Sequence, residues 1–346
     1  MSSYKIAIAG AGIYGCTIAI KLAELGNRVT LYDPLGILKA ASSINQFRVH
    51  AGYHYPRSPE TIKEIIECRN DFVATYKEAM VKDVESFYAI PWDGSFTTPE
   101  KFEKIMLSFG LDIDFYKPDW INYDFIEQCY KVIEGIYDPH LLANILTKKI
   151  EVLGIRFQHE KLSTDLKNKY DFSIFATYGE GISHLHLFDK IKIQIAEKVQ
   201  IELPKPLQNK SLVVIDGLFT AFDPYGNTGL SQFGSAKYTN HWTTTNVQNQ
   251  IPKPYSEILN FSHPAKYDFT NFVKMREEAS QVVPQCVNAK YIGSLFTKRI
   301  VEDSPKDDRR VLRINKSDER TFHIFSGKVV GALKAAKTIS QEIMNA

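Results

Sequence analysis

Lys5-Ile6-Ala7-Ile8-Ala9-Gly10-Ala11-Gly12-Ile13-Tyr14-Gly15 is the stretch on which the reading of the fold turns. Its first five residues make a short apolar run suited to a buried parallel strand, and glycines follow at GxGxxG spacing. Apolar residues then recur at Ile13, Cys16, Ile20, Leu22 and Leu25, close to helical spacing, until Gly26 supplies a stop. Arg28-Val29-Thr30-Leu31-Tyr32 reads as a second strand and delivers Asp33 at its end. Strand, glycine turn, helix, strand and acid stand in the order of a βαβ dinucleotide-binding unit. Gly10 permits the tight turn, Gly12 leaves the backbone open to a pyrophosphate, and Gly15 lets helix and strand approach. Ile13 and Tyr14 open the helix, whose free N–H groups and positive dipole end suit phosphates. Asp33 is placed to accept hydrogen bonds from a ribose.

The rest of the chain bounds what this unit serves. A length of 346 residues suits two domains, and 44% hydrophobic with 24% charged residues excludes disorder, collagen and coiled coil. Lys plus Arg (42) nearly balance Asp plus Glu (40), without the basic excess of a nucleic-acid binder. Aromatic residues, at 12%, fit either a large core or an aromatic-lined pocket. Cys16, Cys68, Cys129 and Cys286 include no CxxC pair, so neither a disulfide framework nor a metal site is expected. No signal-peptide pattern opens the chain and no run reaches the roughly 18 apolar residues of a membrane span, so a soluble cytoplasmic protein is the expectation.

A loop from Ala40 to Pro59 follows the βαβ unit and concentrates Ser42, Ser43, Asn45, Gln46, Arg48, His50, Tyr53, His54, Tyr55 and Arg57. That is more hydrogen-bonding capacity than a plain connector requires. Ser58 reads as the N-cap of a helix with Pro59 in its first turn. Tyr88–Asp93 and Phe115–Pro118 suggest short strands broken by prolines, and Asp138-Pro139-His140 opens a helix that ends at Gly154. Tyr170–Phe175 reads as a buried strand running into Ala176-Thr177-Tyr178-Gly179, a second turn of small residues where backbone can approach a cofactor. From about 190 to 285 alternation dominates, as in a mostly antiparallel sheet inserted into the α/β framework, with a turn at Asp223-Pro224-Tyr225-Gly226-Asn227. A last helix follows Ser326-Gly327-Lys328-Val329-Val330-Gly331.

Together these motifs resemble the D-amino-acid oxidase superfamily of FAD-dependent oxidoreductases, which includes glycine and sarcosine oxidases, glycerol-3-phosphate dehydrogenase and L-2-hydroxyglutarate oxidase. The local similarity is nearest to the last, whose loop reads Asn-Ser-Gly-Val-Ile-His-Ala-Gly where this chain has Asn45-Gln46-Phe47-Arg48-Val49-His50-Ala51-Gly52. The resemblance implies FAD rather than NAD. It implies an α/β fold in which a Rossmann-like FAD-binding domain (1–85, 131–185 and 286–346) is interleaved with a mostly antiparallel β-sheet substrate domain (86–130 and 186–285). Ser42 and Ser43 would lie by the pyrophosphate, and Asn45, Gln46 and Arg48 along the flavin. Ala176, Thr177 and Gly179 would approach the FAD from the other strand. Gly327, Lys328, Val329 and Val330 would bring a helix start to the flavin pyrimidine edge.

That last placement has a chemical rationale. Reduction puts negative charge on flavin N1 and the C2 carbonyl, which a helix dipole stabilises, and Lys328 would add to the effect. Hydride transfer also needs a proton acceptor, a task suited to His50 or His54, with Tyr53 and Tyr55 as hydrogen-bond partners or pocket walls. His50 would alternatively contact the isoalloxazine or carry a covalent flavin link, and each histidine also has a plain reading as a hydrogen-bonded loop residue. A substrate carboxylate or phosphate asks for a cation, for which Arg48, Arg57 and Arg299 are candidates. Tyr225 lies on a turn expected to face the pocket. The expectation is hydride transfer from a C–N or C–OH bond of a small amino acid, amine or hydroxy acid to flavin N5, with an unidentified electron acceptor, O2 among the candidates. A flavoprotein without net redox turnover, such as a sugar-nucleotide mutase or a flavin-binding module, remains an alternative, and an NAD-dependent dehydrogenase a third.

Overall fold

The computed structural model describes residues 3–178, 191–304 and 306–346. Numbered along the chain, β1 (Lys5–Ala9), β2 (Arg28–Tyr32), β8 (Arg156–Gln158), β9 (Phe172–Phe175), β16 (Arg313–Asp318) and β17 (Thr321–Phe325) form a sheet of order β16-β17-β9-β1-β2-β8. All its pairings are parallel except β16 with β17. A parallel strand covered on both faces is apolar without alternation, which is why Lys5–Ala9 is buried at every residue after the first. Helix α1 (Ile13–Glu24) packs on α8 (Ala332–Met344) and α4 (Pro139–Val152), and α2 (Pro59–Thr75) also contacts α8.

The second, larger sheet holds β4 (Glu85–Pro91), β5 (Ile113–Phe115), β6 (Ile126–Val132), β10 (Ile191–Glu202), β11 (Lys210–Val214), β12 (Thr220–Pro224), β13 (Ser231–Ser235), β14 (Asn240–Thr244) and β15 (Lys290–Glu302). Its order is β14-β10-β13-β12-β11-β4-β6-β5, with β15 also paired to β10. Every pairing is antiparallel except β4 with β11. A short ladder of β3 (Arg48–Val49) and β7 (Gly135–Ile136) joins the polar loop to the end of β6. The remaining helices are α3 (Pro99–Ser108), α5 (Thr164–Lys167), α6 (Tyr255–Ile258) and α7 (Phe272–Val282).

Three local expectations change. Residues 290–302, assigned from sequence to the last FAD-binding segment, pair along their length with β10, so by hydrogen bonding that segment begins at β16. Residues 99–108, between the two strands expected at Tyr88–Asp93 and Phe115–Pro118, form a helix that the sequence reading did not assign, α3. Thr98 accepts from Lys101 N, Pro99 opens the first turn, and Phe102 and Met106 are buried one turn apart. Ser58 precedes α2 but does not cap it through its side chain, because its hydroxyl is hydrogen-bonded to Thr61 Oγ1 at 2.8 Å.

The alternation of the large sheet sorts its side chains. Phe87, Ala89, Val199, Ile201, Leu212, Val214, Phe222 and Phe233 turn one way and pack with α7 residues such as Phe272 and Met275. Tyr88, Ile90, Val213, Ile215 and Ala221 turn the other way and join the core of the parallel sheet and its helices. Lys198, Gln200, Ser211, Asp223 and Gln232 share this second face and are buried. Gln200 stands opposite Gln232, and Gln232 opposite Asp223. A polar row therefore crosses the sheet where it meets the α/β part. No helix among the described residues is long and apolar enough to cross a membrane.

Candidate active site

The glycine turn is built as its spacing requires. Gly10 has φ +96°, and a Cβ there would lie 2.5 Å from the Ala176 carbonyl oxygen and 3.2 Å from the Thr177 Cα, so those two residues close directly on the turn. A Cβ at Gly15 would run into the Gly10 carbonyl, whereas one at Gly12 meets only Ser42 Oγ, at 3.1 Å. Gly12 is the N-cap of α1 and offers no side-chain cap, and Ser42 Oγ accepts from Ile13 N at 3.1 Å. Asp33 holds the turn itself: Oδ2 accepts from Ala11 N (2.8 Å), and Oδ1 from Leu35 N (2.8 Å) and Gly36 N (3.2 Å). Tyr14 donates to the Lys328 carbonyl at 2.5 Å, which ties α1 to the start of the last helix. Val329 and Val330 form a single tight turn before α8. Ser43 Oγ donates to Ala40 O, and Asn45 bonds Ala41 O and Tyr137 Oη, so both brace the loop from within. The Gln46 amide fills the space left by the missing side chain of Gly234 on β13. Gly179 lies outside the described residues.

These features fit FAD. A bare Gly12 at the N-cap, with no side chain of its own over the helix start, leaves room and N–H groups beyond Ile13 for a pyrophosphate. Lys328 and two histidines, none with a carboxylate hydrogen bond among the described residues, gather around Tyr55 nearby.

His50 and His54 lie with ring centres 5.3 Å apart, and Tyr55 stands 5.6 Å from the first and 4.9 Å from the second. Nδ1 of each is buried without a hydrogen-bond partner. Glu134 Oε1 is 3.3 Å from His50 Nδ1, within ion-pair distance but poorly aligned for a hydrogen bond. That carboxylate instead accepts from Tyr88 Oη (2.8 Å) and Ala51 N (2.9 Å). Burial, and after it the charges of Lys328 and Arg48, holds His50 well below the usual imidazole range. His54 is lowered in the same way, by burial and then by His50 and Arg48. Burial therefore favours the neutral form of both rings. Glu134 is pushed up by burial, with Arg48 opposing. Lys328 Nζ lies 3.8 Å over the Tyr55 ring and is held well below the ordinary lysine value by burial and Arg48.

The remaining candidates divide. Arg48 makes two 2.7 Å bonds to Asp223, both side chains buried, so its guanidinium is already matched by a carboxylate. Arg57 is likewise paired with Asp216, at 2.6 and 3.0 Å. Arg299 shares a face of β15 with Thr297 and makes neither hydrogen bond nor ion pair among the described residues. Tyr53 packs on Tyr88 and donates to the Asp112 carbonyl at 2.7 Å, which turns its hydroxyl away from the histidines. Tyr225 stacks on Phe47 at 5.4 Å, and its turn is fastened to α4 because Asp138 Oδ2 accepts from Asn227 N and Nδ2. Sequence reasoning missed Glu134, Asp223, Lys198, Gln200 and Gln232. Lys198-Val199-Gln200-Ile201 alternates like a half-exposed strand, and only the second layer of the fold buries its polar side.

Residues 5–171 match the family model described as FAD dependent oxidoreductase (DAO). That match spans just under half of the chain and takes in the glycine turn, Asp33 and the polar loop, where the chain is similar to the family. The cofactor named by that match is FAD, and the glycine turn described above fits it. The chain is 26% identical over 250 residues to an FAD-dependent monooxygenase of Fusarium mangiferae, a match covering 69% of this chain and 66% of that protein, just under two-thirds of its length. Its fold is similar to glycine oxidase from Geobacillus kaustophilus (TM-score 0.72, 14% identity, 99% of this chain and 94% of that one). It is also similar to FAD-bound L-α-glycerophosphate oxidase from Mycoplasma pneumoniae (TM-score 0.73, 13% identity, 99% and 95%).

Proposed function

We propose that this oxidoreductase removes a hydride and a proton from a C–N or C–OH group of a small polar substrate, an amino acid, amine or hydroxy acid. Bound FAD supplies the hydride acceptor, the N5 of its ring. The observation that carries the reading is the pair of buried, neutral imidazoles, His50 and His54, each with an unpartnered Nδ1. A neutral imidazole accepts the proton of an alcohol or ammonium group as the adjacent C–H bond breaks. Glu134 lies behind His50 and stabilises the imidazolium that forms, while Tyr88 and Ala51 N hold its carboxylate in place. Burial of the pair keeps water from competing for that proton.

Anaerobic mixing of the yellow holoprotein with amino acids, amines and hydroxy acids tests this. One class should bleach the flavin, and His54→Asn and His50→Asn should each slow bleaching about 100-fold or more. A panel that bleaches nothing, or variants that bleach at the parent rate, would overturn the reading. The name of the Fusarium relative favours a second one, insertion of an oxygen atom from O2. Product that carries label from isotopic dioxygen would support that reading, and unlabelled product the first.

A further inference from the structure

The large sheet carries a second set of polar groups that the histidine chemistry leaves unused. Gln200 on β10 and Gln232 on β13 stand directly opposite each other and are fully buried. Oε1 of Gln200 and both amide atoms of Gln232 nevertheless have no hydrogen-bond partner. Two residues before Gln200, on the same face, Lys198 is 8% exposed, and among the described residues its ammonium has neither hydrogen bond nor ion pair. The groups whose charge it feels are Arg299, Asp223 and Arg48, and the one acid among them is already held by Arg48 and Ser211. Arg299, further along that face on the neighbouring strand, adds positive charge to the field at Lys198, with Asp308 offsetting part of it. Burial pushes Lys198 down to about 7. Buried polar atoms are ordinarily satisfied, so three orphaned carboxamide atoms beside an unpaired ammonium describe a site whose missing partner is a ligand. The register carries Lys198 to the side of Gly234, where the Gln46 amide of the cofactor loop docks.

We propose that Lys198, Gln200 and Gln232 form the substrate-anchoring subsite: the ammonium takes a carboxylate or phosphate oxygen, and the two carboxamides hydrogen-bond hydroxyl or carbonyl groups beside that anion. This rests on the reading of His50 and His54 as the place of hydride transfer, and it narrows the substrate to an oxygen-rich acid rather than a simple amine. FAD-loaded protein titrated with malonate, tartrate and inorganic phosphate tests it without turnover, through the flavin difference spectrum and the melting temperature. Tartrate or phosphate should perturb the spectrum and raise the melting temperature, and which of them binds more tightly separates a carboxylate from a phosphate substrate. Lys198→Met should weaken that binding about tenfold or more, and Lys198→Arg should retain most of it. Gln232→Leu should weaken tartrate while sparing malonate. Should Lys198→Met fail to fold, Lys198→Gln provides the same comparison with a polar side chain. Binding that ignores Lys198, or a parent protein that no probe perturbs at tens of millimolar, overturns the subsite. A flavin that no substrate bleaches overturns hydride transfer instead, and leaves the binding result readable.

Discussion

Gly12 and Gly15 stand three residues apart in one motif, yet their substitutions fail for different reasons. A side chain at Gly15 drives into the Gly10 carbonyl, which belongs to the backbone and has nowhere to move, so Gly15→Ala should lose the fold. At Gly12 the only near atom is Ser42 Oγ, at 3.1 Å. Gly12→Leu should therefore fold and lose FAD, read as a parent-like circular dichroism spectrum with flavin absorbance reduced about tenfold or more. Full flavin occupancy in that variant would contradict the site. The histidines make a prediction in pH. Their folded-state values are depressed, so an unfolded chain takes up protons near pH 6.5 while the folded one does not. Their contribution to stability is complete above about pH 6.5 and is lost as the pH falls below it. In urea titrations of apoprotein between pH 5 and 7, the parent should lose more stability than His50→Asn/His54→Asn; parallel profiles would count against it. The raised Glu134 acts with the opposite sign, and comparison of the two proteins cancels it.

Among elements, β3 shows how two residues of strand join two layers. Arg48 reaches from the cofactor loop to Asp223 on β12, and burial of both side chains makes each depend on the other. Arg48→Met should destabilise the protein by roughly 3–5 kcal/mol, because an uncompensated carboxylate is left inside. Adding Asp223→Leu should recover most of the loss. Chemical denaturation of the two variants decides it, and equal stabilities would show that the pair contributes little. Arg48 was legible in the sequence as a loop cation, but its partner lies 175 positions away on a strand whose polarity looked solvent-directed. The α1 turn, the Asp138 helix start and the last helix were legible because cap, spacing and punctuation are local signals. Helix α3 was not: its apolar stripe is thin, and burial of Phe102 and Met106 depends on the neighbouring sheet. Glu134 and the Gln200–Gln232 pair were invisible for the same reason, since nothing in their neighbours in sequence reports what covers them.

At the scale of the molecule, the groups proposed to border the cofactor come from the first turn, the polar loop, the end of β9 and the approach to α8. The large sheet is stitched from strands that flank these segments in the chain. A site shared this widely has no part that can open alone. Flavin release and loss of secondary structure should coincide in one thermal transition, with free FAD raising its midpoint. Flavin fluorescence that rises well before the circular dichroism changes would contradict this.

The bond from Tyr14 to the Lys328 carbonyl spans 314 positions. On the ribosome the glycine turn is made long before residues 321–325, and β9 has no partner on its far side until they have been synthesised. The tyrosine likewise has no carbonyl to hold until the approach to α8 follows. The proposed flavin cradle therefore closes only after Lys328 has been made, and a truncation before that residue leaves a cradle without a clasp.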